Sequence, residues 1–270
     1  MKHTVFTFIC LISSLSLFAQ DDPKQMVDAI VAEANENSQL ELLAHELLDV
    51  IGPRLVGTPE MKQAHDWAVE KYGEWGISAE NQQWGVWRGW QRGVTHIDLV
   101  APRKKTLEGM MLAWSPASPK KGVTGEAIIL PDVPDSVAFA NWLPNVKDKV
   151  VLISMHQPTG RPDYNWEEFA TEESFEKMKE ARSEQTAAWR ERMSKTGYNR
   201  RTLPKALEEA GAAAVVQSYW SRGFGENKIF GAYTEEIPTI DLSLEDYGLV
   251  YRLAQYGDKP ELKIVAESEE

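Results

Sequence analysis

The stretch from Ser38 to Ile77 predicts two amphipathic helices separated by a glycine–proline loop. Ser38 followed by Glu41 predicts a capping box at the start of the first helix. The Gly-Pro pair at 52–53 ends that helix, and the Thr-Pro pair at 58–59 begins the second. The apolar stripes consist of Leu40, Leu43, Leu47 and Val50 in the first helix and of Met61, Ala64, Ala68, Tyr72 and Trp75 in the second. Neither helix can bury its stripe alone, so another part of the protein must cover both.

The composition limits the classes of partner. A chain of 270 residues that is 43% hydrophobic and contains ten tryptophans can form one large or two ordinary packed domains. Its net charge of −12 disfavours nucleic acid, which requires basic patches, and also disfavours an anionic membrane surface. We therefore expect a protein with a solvated acidic surface that binds neither.

Residues 1–19 have the pattern of a signal peptide. Lys2 and His3 precede an apolar run from Val5 to Phe18, and Ala19 is a small residue suited to cleavage. The run is too short to be an ordinary membrane-spanning helix. Cys10, the single cysteine, lies within this segment, so the mature chain has no disulfide. We expect an exported protein, periplasmic or extracellular, without a membrane anchor.

The second half alternates strands and helices, which predicts an α/β fold. The predicted strands are Val123–Leu130, the turn and strand of Val146–Ser154, Ala213–Gln217, IPTIDL and Glu261–Ala266. The predicted helices are Leu203–Ala210 and Leu244–Gln255. The charged stretch Thr171–Thr196 predicts a long, solvated helix inserted into a loop, within a region of about 167–197.

The region between the helix pair and this second half is aromatic. The segment from Trp84 to Gly93 suggests an extended, hairpin-like piece, and Thr95–Val100 and Met110–Trp114 suggest strands. Trp84, Trp87 and Trp90 are compatible with a platform for sugar or peptide, and equally with packing of a short sheet against helices.

The residues themselves provide no convincing active site. His96 and Asp98 share one face of a predicted strand, but two ligands are too few for a metal. His65 and Asp66 point in different directions on a helix. The acidic doublets are 172–173, 208–209, 235–236 and 269–270, and a solvated surface explains them. The sequence contains no nucleophile elbow and no phosphate-binding loop.

Several unlike residues of the opening stretch recur in one known family. Ile51–Leu55 and Gly57–Pro59 form a loop of the type IGPRL-G-T-P, Trp75-Gly76 ends the next helix, and Gly89–Gly93 reads GWQRG. This pattern resembles the start of secreted two-zinc exopeptidases, the bacterial aminopeptidases and plasma glutamate carboxypeptidase.

The second half resembles the protease-associated domain that such enzymes carry as an insert. The matching segments are VKDKVVLIS, Ala206–Val216 and IPTIDLSLEDYGLVYRLAQYG. The resemblance implies three parts: the signal peptide 1–19, an N-terminal helical and aromatic segment 20–115, and a protease-associated-like domain 116–270 with the inserted charged helix.

The resemblance implies an enzyme in which two zinc ions activate a water that attacks a peptide bond near a chain terminus. None of the family's zinc ligands or catalytic residues can be matched to this sequence, which stops at Glu270, where the catalytic core would begin. We therefore expect an N-terminal part of such an enzyme, without catalytic residues or zinc of its own. Its peptide substrate would be reached through the missing core. On this view the helix pair 38–77 should expose apolar side chains.

The loop SYWSRGFGEN is the predicted substrate-facing surface. Arg222 could bind a carboxylate bidentately, with Tyr219 and Trp220 as an apolar wall. A plain surface loop is the alternative for these residues. For the whole chain, the alternatives are a stand-alone, non-enzymatic protein- or ligand-binding module of the protease-associated type, and a tryptophan-based carbohydrate-binding protein.

Overall fold

The computed structural model describes residues 23–224 and 229–270, and the predicted signal peptide at 1–19 lies outside them. The described residues form two compact units, one of residues 23–54 and 60–82, the other of residues 55–59 and 83–270. Residues 83–115, assigned from the sequence to the N-terminal segment, belong to the second unit together with residues 116–270. The three-part division of the chain stays a prediction.

The first unit is helical. Helix α1 spans Pro23–Glu36, α2 spans Leu40–Ala44 and continues as a π-helical turn over His45–Ile51, and α3 spans Pro59–Glu74. Among the described residues, no helix is both long enough and apolar enough to cross a bilayer.

Arg54 closes the end of the π-helical turn. Its guanidinium donates hydrogen bonds to the carbonyl oxygens of Leu47 and Gly52. The last carbonyls of a helix have no N–H partner within it, and a basic side chain can supply one. The arginine that follows the glycine–proline pair therefore has a local structural role, which the sequence pattern does not reveal.

Glu46 links the π-helical turn to α3. Its Oε2 accepts a hydrogen bond from Trp67 Nε1 at 2.7 Å and lies 3.2 Å from Lys71 Nζ. The hydrogen bonds from Trp67 and Lys71 lower the pKa of the Glu46 carboxyl. A charged acceptor that binds both an indole and an ammonium group fixes the pairing of the two segments.

The predicted apolar stripes of this unit are partly solvent-exposed. Leu40 is 72% exposed, Val50 65% and Trp75 48%, whereas Met61 is half-buried and Ala64 buried. The expected exposure is thus confirmed at Leu40 and Trp75, whereas Leu43, Leu47 and Met61 are half-buried. The predicted capping box is wrong: Gln39 occupies the N-cap position without a side-chain cap, and Ser38 Oγ only accepts a 3.4 Å bond from the N–H of Leu40.

The second unit contains the strands and the remaining helices. Its strands are β1 Gln91–Ala101, β2 Lys105–Leu107, β3 Gly109–Met111, β4 Val123–Ile129, β5 Val150–Leu152, β6 Ala214–Gln217, β7 Thr239–Leu242 and β8 Glu261–Glu269. Its helices are α4 Ser136–Trp142, followed by a 3₁₀ turn Leu143–Val146, α5 Asp163–Phe169, α6 Glu172–Lys195, α7 Leu203–Glu209 and α8 Leu244–Gln255. The expected strands and helices of the second half are present. The hairpin-like segment at 84–93 is wrong, because residues 77–90 form no regular element.

The strands form one mixed sheet in the order β2-β1-β8-β4-β5-β6-β7-β3. Strands β4 to β7 run parallel to one another, and the other pairs are antiparallel. The N–H of Met111 in β3 donates to Thr95 Oγ1 in β1 at 3.3 Å. Strand β3, at one edge of the sheet, therefore lies against β1, near the opposite edge, and the sheet curves back on itself.

Two hydrophobic cores cover the parallel strands, one on each face. In β5, Val150 and Leu152 belong to the core that contains Tyr247 of α8, while Val151 belongs to the core that contains Phe139 of α4. This separation follows from the alternation of side chains along a strand. All residues of β5, β6 and β7 are buried, as expected for parallel strands with helices on both faces. The chain has an α/β fold.

Glu208 fixes α7 to the segment that leads into β7. Its Oε2 accepts hydrogen bonds from the backbone N–H groups of Glu235 (2.8 Å), Glu236 (2.8 Å) and Ile237 (3.2 Å), and Lys205 Nζ donates to Oε1 at 2.7 Å. Burial opposes ionisation of this carboxyl, but the hydrogen bonds outweigh burial, so the pKa of Glu208 lies below its ordinary value. The ionised form is thereby stabilised in the folded state.

We predict that Glu208→Gln destabilises the protein by roughly 1–3 kcal/mol at pH 7, since three backbone donors lose a charged acceptor. A lowered folded-state pKa stabilises the protein above the unfolded pKa, and this contribution is lost as the pH falls through the folded value. The difference between variant and parent should therefore shrink on acidification. Urea unfolding at several pH values measures it.

Glu209→Gln is the matched control, because Glu209 is exposed and follows directly in the same helix. We expect little change in its free energy of unfolding. Equal effects of the two substitutions would contradict the assigned role of Glu208.

Candidate functional site

The candidate site lies where β5, β6 and β7 end. Parallel strands place their carboxyl ends at one edge of a sheet, and ligands of open α/β sheets bind outside that edge. Here the chain leaves β5 through Ser154 and β6 through Ser218 and Tyr219, while Asp241 of β7 pairs in register with Gln217 of β6.

Asp241 is the most perturbed acid near this edge. Its side chain is fully buried, and its Oδ2 accepts a 2.8 Å hydrogen bond from the N–H of Tyr219. Burial raises the pKa of Asp241 to about 8, although the nearby Gln217 amide opposes the shift. Asp241 Oδ1 and Gln217 Nε2 nevertheless have no hydrogen-bond partner of good geometry among the described residues. At pH 7 this carboxyl is mostly neutral, which is unusual for an aspartate.

Tyr247 of α8 organises the backbone at the end of β5. Its hydroxyl donates to the carbonyl oxygen of Ser154 at 2.6 Å and accepts from the N–H of Ser154 at 2.8 Å. Ser154 Oγ in turn accepts from the N–H of Ser218 at 3.0 Å. This chain of hydrogen bonds joins the ends of β5 and β6, and burial raises the pKa of the Tyr247 hydroxyl.

A cavity of about 500 Å³ opens between this edge and helix α6, and we call it the α6 cavity. Its polar lining includes Gln157, Arg190, Asn199, Arg200, Gln217 and Ser218. Its apolar lining includes Ile153, Met155, Trp189, Met193, Leu203 and Tyr219. A second cavity of about 650 Å³ lies elsewhere in this unit, along β1 and β8 beside Arg92, Lys120 and Glu267. Unlike this second cavity, the α6 cavity lies at the strand ends, and its lining includes Gln217 and Tyr219, which both contact Asp241.

The structure separates the three residues predicted to face substrate. Tyr219 lines the α6 cavity, where the Arg200 guanidinium stacks 4.0 Å from its ring centre. Trp220 is half-buried, and its Nε1 donates to the carbonyl oxygen of Gly223 at 2.8 Å. Arg222 is exposed and has a φ of 66°, in the left-handed region. The assignment of these residues to substrate stays a prediction.

Arg182 of α6 is the cation beside Trp220 and Arg222. Its guanidinium lies 4.8 Å from the Trp220 ring centre, forms an ion pair with Asp163, and donates to the carbonyl oxygen of Arg161 at 2.6 Å. Burial lowers the pKa of Arg182; Asp163 opposes this effect, and Arg222 adds to it. Trp220 is thus covered by a cation on one side, and Arg222 is close enough to repel that cation.

The histidine–acid pairs are surface pairs. His96 Nε2 lies 3.0 Å from Asp98 Oδ2, and Thr106 Oγ1 donates to Asp98 Oδ1 at 3.0 Å. Asp66 pairs with Lys62 and accepts from Asn81 Nδ2 at 3.0 Å. Within residues 23–224 and 229–270, no three His, Asp or Glu side chains are grouped closely enough to hold a metal. The described residues therefore do not fit the two zinc ions that the family resemblance implies.

Neither Asp241 nor the α6 cavity was predicted from the sequence. One signal for Asp241 was available, since IPTIDL places an acid inside an otherwise apolar, buried strand. No comparable signal existed for Arg190 and Arg200, because the residues that join them in one cavity come from three separate parts of the chain.

Comparison with known proteins gives a likeness of fold. No family model matches the sequence, and no curated protein matches it. The structure is similar to a peptidase M28 precursor from Shewanella amazonensis SB2B, with 18% identity, a TM-score of 0.54, and coverage of 93% of this chain and 51% of that one. The neighbours also include the zinc aminopeptidase BSAP from Bacillus subtilis, with 14% identity, a TM-score of 0.46, and coverage of 83% of this chain and 41% of that one.

An aminopeptidase from Aneurinibacillus sp. strain AM-1 is a third neighbour, with 15% identity, a TM-score of 0.43, and coverage of 84% of this chain and 45% of that one. The chain thus spans about half the length, or less, of the solved structures that it matches. At these identities the likeness establishes the fold.

We predict that Asp241→Asn flattens the pH dependence of stability between about pH 4 and about pH 8. The pKa of Asp241 is raised from 3.8 to about 8, so in this window the folded state keeps a proton that the unfolded chain releases. The contribution of Asp241 to the free energy of unfolding must then fall as the pH rises, by up to about 1.4 kcal/mol per pH unit. Urea unfolding from pH 4 to pH 9 measures the slope.

Asp258→Asn, at an exposed position after α8, is the control and should leave the slope unchanged. Parallel profiles for the parent and Asp241→Asn would show that Asp241 is not protonated in the folded state.

Proposed function

We propose that this chain is the N-terminal part of an exported, zinc-dependent exopeptidase that acts on peptides. The supporting observation is the likeness of fold to a peptidase M28 precursor over 93% of the chain, at a TM-score of 0.54. The loop at Ile51–Pro59 and the Trp75-Gly76 helix end agree with it, because both resemble the start of such enzymes.

In this proposal the protease-associated-like domain covers the active-site cleft and aids substrate selection. Arg222 is an exposed cation that follows Tyr219 and Trp220 in the chain, and a guanidinium suits the carboxylate end of a peptide. The hydrolytic centre would come from a catalytic core, since the described residues do not fit zinc. The contribution of this chain is binding and orientation of the peptide.

The gene itself tests the proposal. Reading the coding sequence past the codon for Glu270 should reveal a segment with the His, Asp and Glu ligands of a two-zinc core. The full product should bind zinc and release terminal residues from peptides. A stop codon with no core encoded nearby would refute the exopeptidase and leave a stand-alone binding module of the protease-associated type.

We predict that Arg222→Asn in the full product raises the KM for peptides by roughly tenfold while kcat changes little. Asparagine tolerates the left-handed backbone that Arg222 adopts, so the substitution removes the charge without new strain. Steady-state kinetics on peptides with a free and an amidated C-terminus measure the effect. An unchanged KM would remove Arg222 from the substrate-facing surface.

We predict export with cleavage after Ala19. Expression of the complete chain should yield an exported product whose mass and N-terminal sequence begin at Gln20. Lys2→Glu with His3→Glu, which reverses the charge of the leading segment, should retain the chain inside the cell. Recovery of the uncleaved chain from the cytoplasm of the parent strain would contradict the export proposal.

A further inference from the structure

The α6 cavity has the size and the lining of a ligand site. Its volume of about 500 Å³ falls within the range of about 300–1,000 Å³ that is usual for small-molecule sites. Every lining residue belongs to the second unit and to the described part of the chain. The cavity combines a polar rim with apolar walls, so its occupant should carry both kinds of surface.

The positive charges at the rim of the α6 cavity favour an anionic ligand. Arg190 and Arg200 line the cavity, and its lining contains no Asp or Glu. Among the described residues, neither guanidinium is paired with a carboxylate. Both guanidinium groups are therefore available to an anionic ligand, and arginine is well suited to bind a carboxylate through two parallel N–H bonds.

Tyr219 orients the guanidinium of Arg200 for contact with a carboxylate. The guanidinium stacks 4.0 Å from the centre of the Tyr219 ring, and the backbone N–H of Tyr219 is held by Asp241 at 2.8 Å. Stacking on an aromatic face leaves the N–H groups at the edge of the guanidinium plane available to an acceptor. The buried Asp241 therefore fixes the residue that in turn orients Arg200.

The apolar walls of the α6 cavity favour a ligand with an apolar side chain. Trp189 presents an aromatic ring, and Met155 and Met193 present flexible thioethers that adapt to the shape of an apolar group. A ligand with an ammonium group would find no acidic side chain in the lining. This disfavours a free amino acid and favours a residue whose nitrogen is acylated.

We propose that the α6 cavity binds an apolar amino-acid residue that ends in a free carboxylate and carries an acylated nitrogen. The carboxylate would contact Arg190 and Arg200, and the side chain would lie against Trp189. This chemistry is shared by the C-terminal residue of a peptide and by a single N-acylated amino acid. The proposal does not depend on peptidase activity, and it concerns a different place from Arg222.

The test is titration of the full chain with N-acetyl-L-phenylalanine by isothermal calorimetry, with N-acetyl-L-phenylalaninamide as the neutral probe. We expect the acid to bind with a Kd of roughly 1 mM or below, and the amide to bind at least about tenfold more weakly, because it lacks the charge. Absence of acid binding at about ten times that concentration, or equal binding of acid and amide, would overturn the proposal.

Three variants locate the site. Arg190→Gln and Arg200→Gln change exposed residues of the rim, and each should weaken binding of the acid roughly tenfold without altering the amide. Arg201→Gln is the control, because Arg201 is exposed and adjacent in sequence but does not line the cavity. Unchanged binding in both rim variants, or an equal loss in the control, would overturn the proposal. Thermal melts confirm that each variant folds.

The tripeptide Ala-Ala-Phe with a free C-terminus distinguishes the two sources of the ligand. Tighter binding than that of N-acetyl-L-phenylalanine assigns the cavity to the end of a peptide, and weaker binding assigns it to a single acylated amino acid. Either result supports a site for an apolar residue with a free carboxylate, provided that the rim variants reduce the binding of the tripeptide. Loss of hydrolysis in a full-length enzyme would not affect these titrations, so this proposal and the exopeptidase proposal fail independently.

Discussion

Burial of β5, β6 and β7 on both faces is the constraint on which the second unit depends. Side chains alternate along each strand, so Val150 and Val151 enter different cores, and helices must cover both faces. Polar side chains have no place within such strands except near their ends. That is where Gln217 and Asp241 lie, and the protein keeps the Asp241 carboxyl mostly neutral there because burial disfavours its charge.

The polar contacts of this unit join elements that are distant in sequence. The Tyr247 hydroxyl forms hydrogen bonds with the turn after β5, and Glu208 accepts hydrogen bonds from three backbone N–H groups in the segment before β7. In each contact one side chain forms hydrogen bonds with several buried or constrained backbone groups. Such a contact contributes more to the stability of the fold than a pair of exposed charges does. The loops at the carboxyl edge are therefore held in place, and this fixes the positions of Tyr219 and, through it, Arg200.

The first unit shows the opposite arrangement. Its helices are joined by Glu46 and closed by Arg54, but Leu40, Val50 and Trp75 remain exposed. An apolar face of this kind usually meets a further surface. In the exopeptidase proposal that surface belongs to a catalytic core, and the likeness to about half of a peptidase M28 precursor is compatible with this view.

The sequence by itself determined the α/β class, the strands after Val123 and three of the helices among them, including the long helix now seen at Glu172–Lys195, because apolar periodicity is a local signal. Helices α4 and α5 were not predicted. It also marked Tyr219 and Arg222 as candidates. Only the tertiary structure brought Arg190 and Arg200 to one cavity and raised the pKa of Asp241. It also left residues 77–90 without regular structure, where a hairpin was predicted at 84–93, and began β1 at Gln91. These features depend on burial and on contacts between distant residues, which no local pattern records.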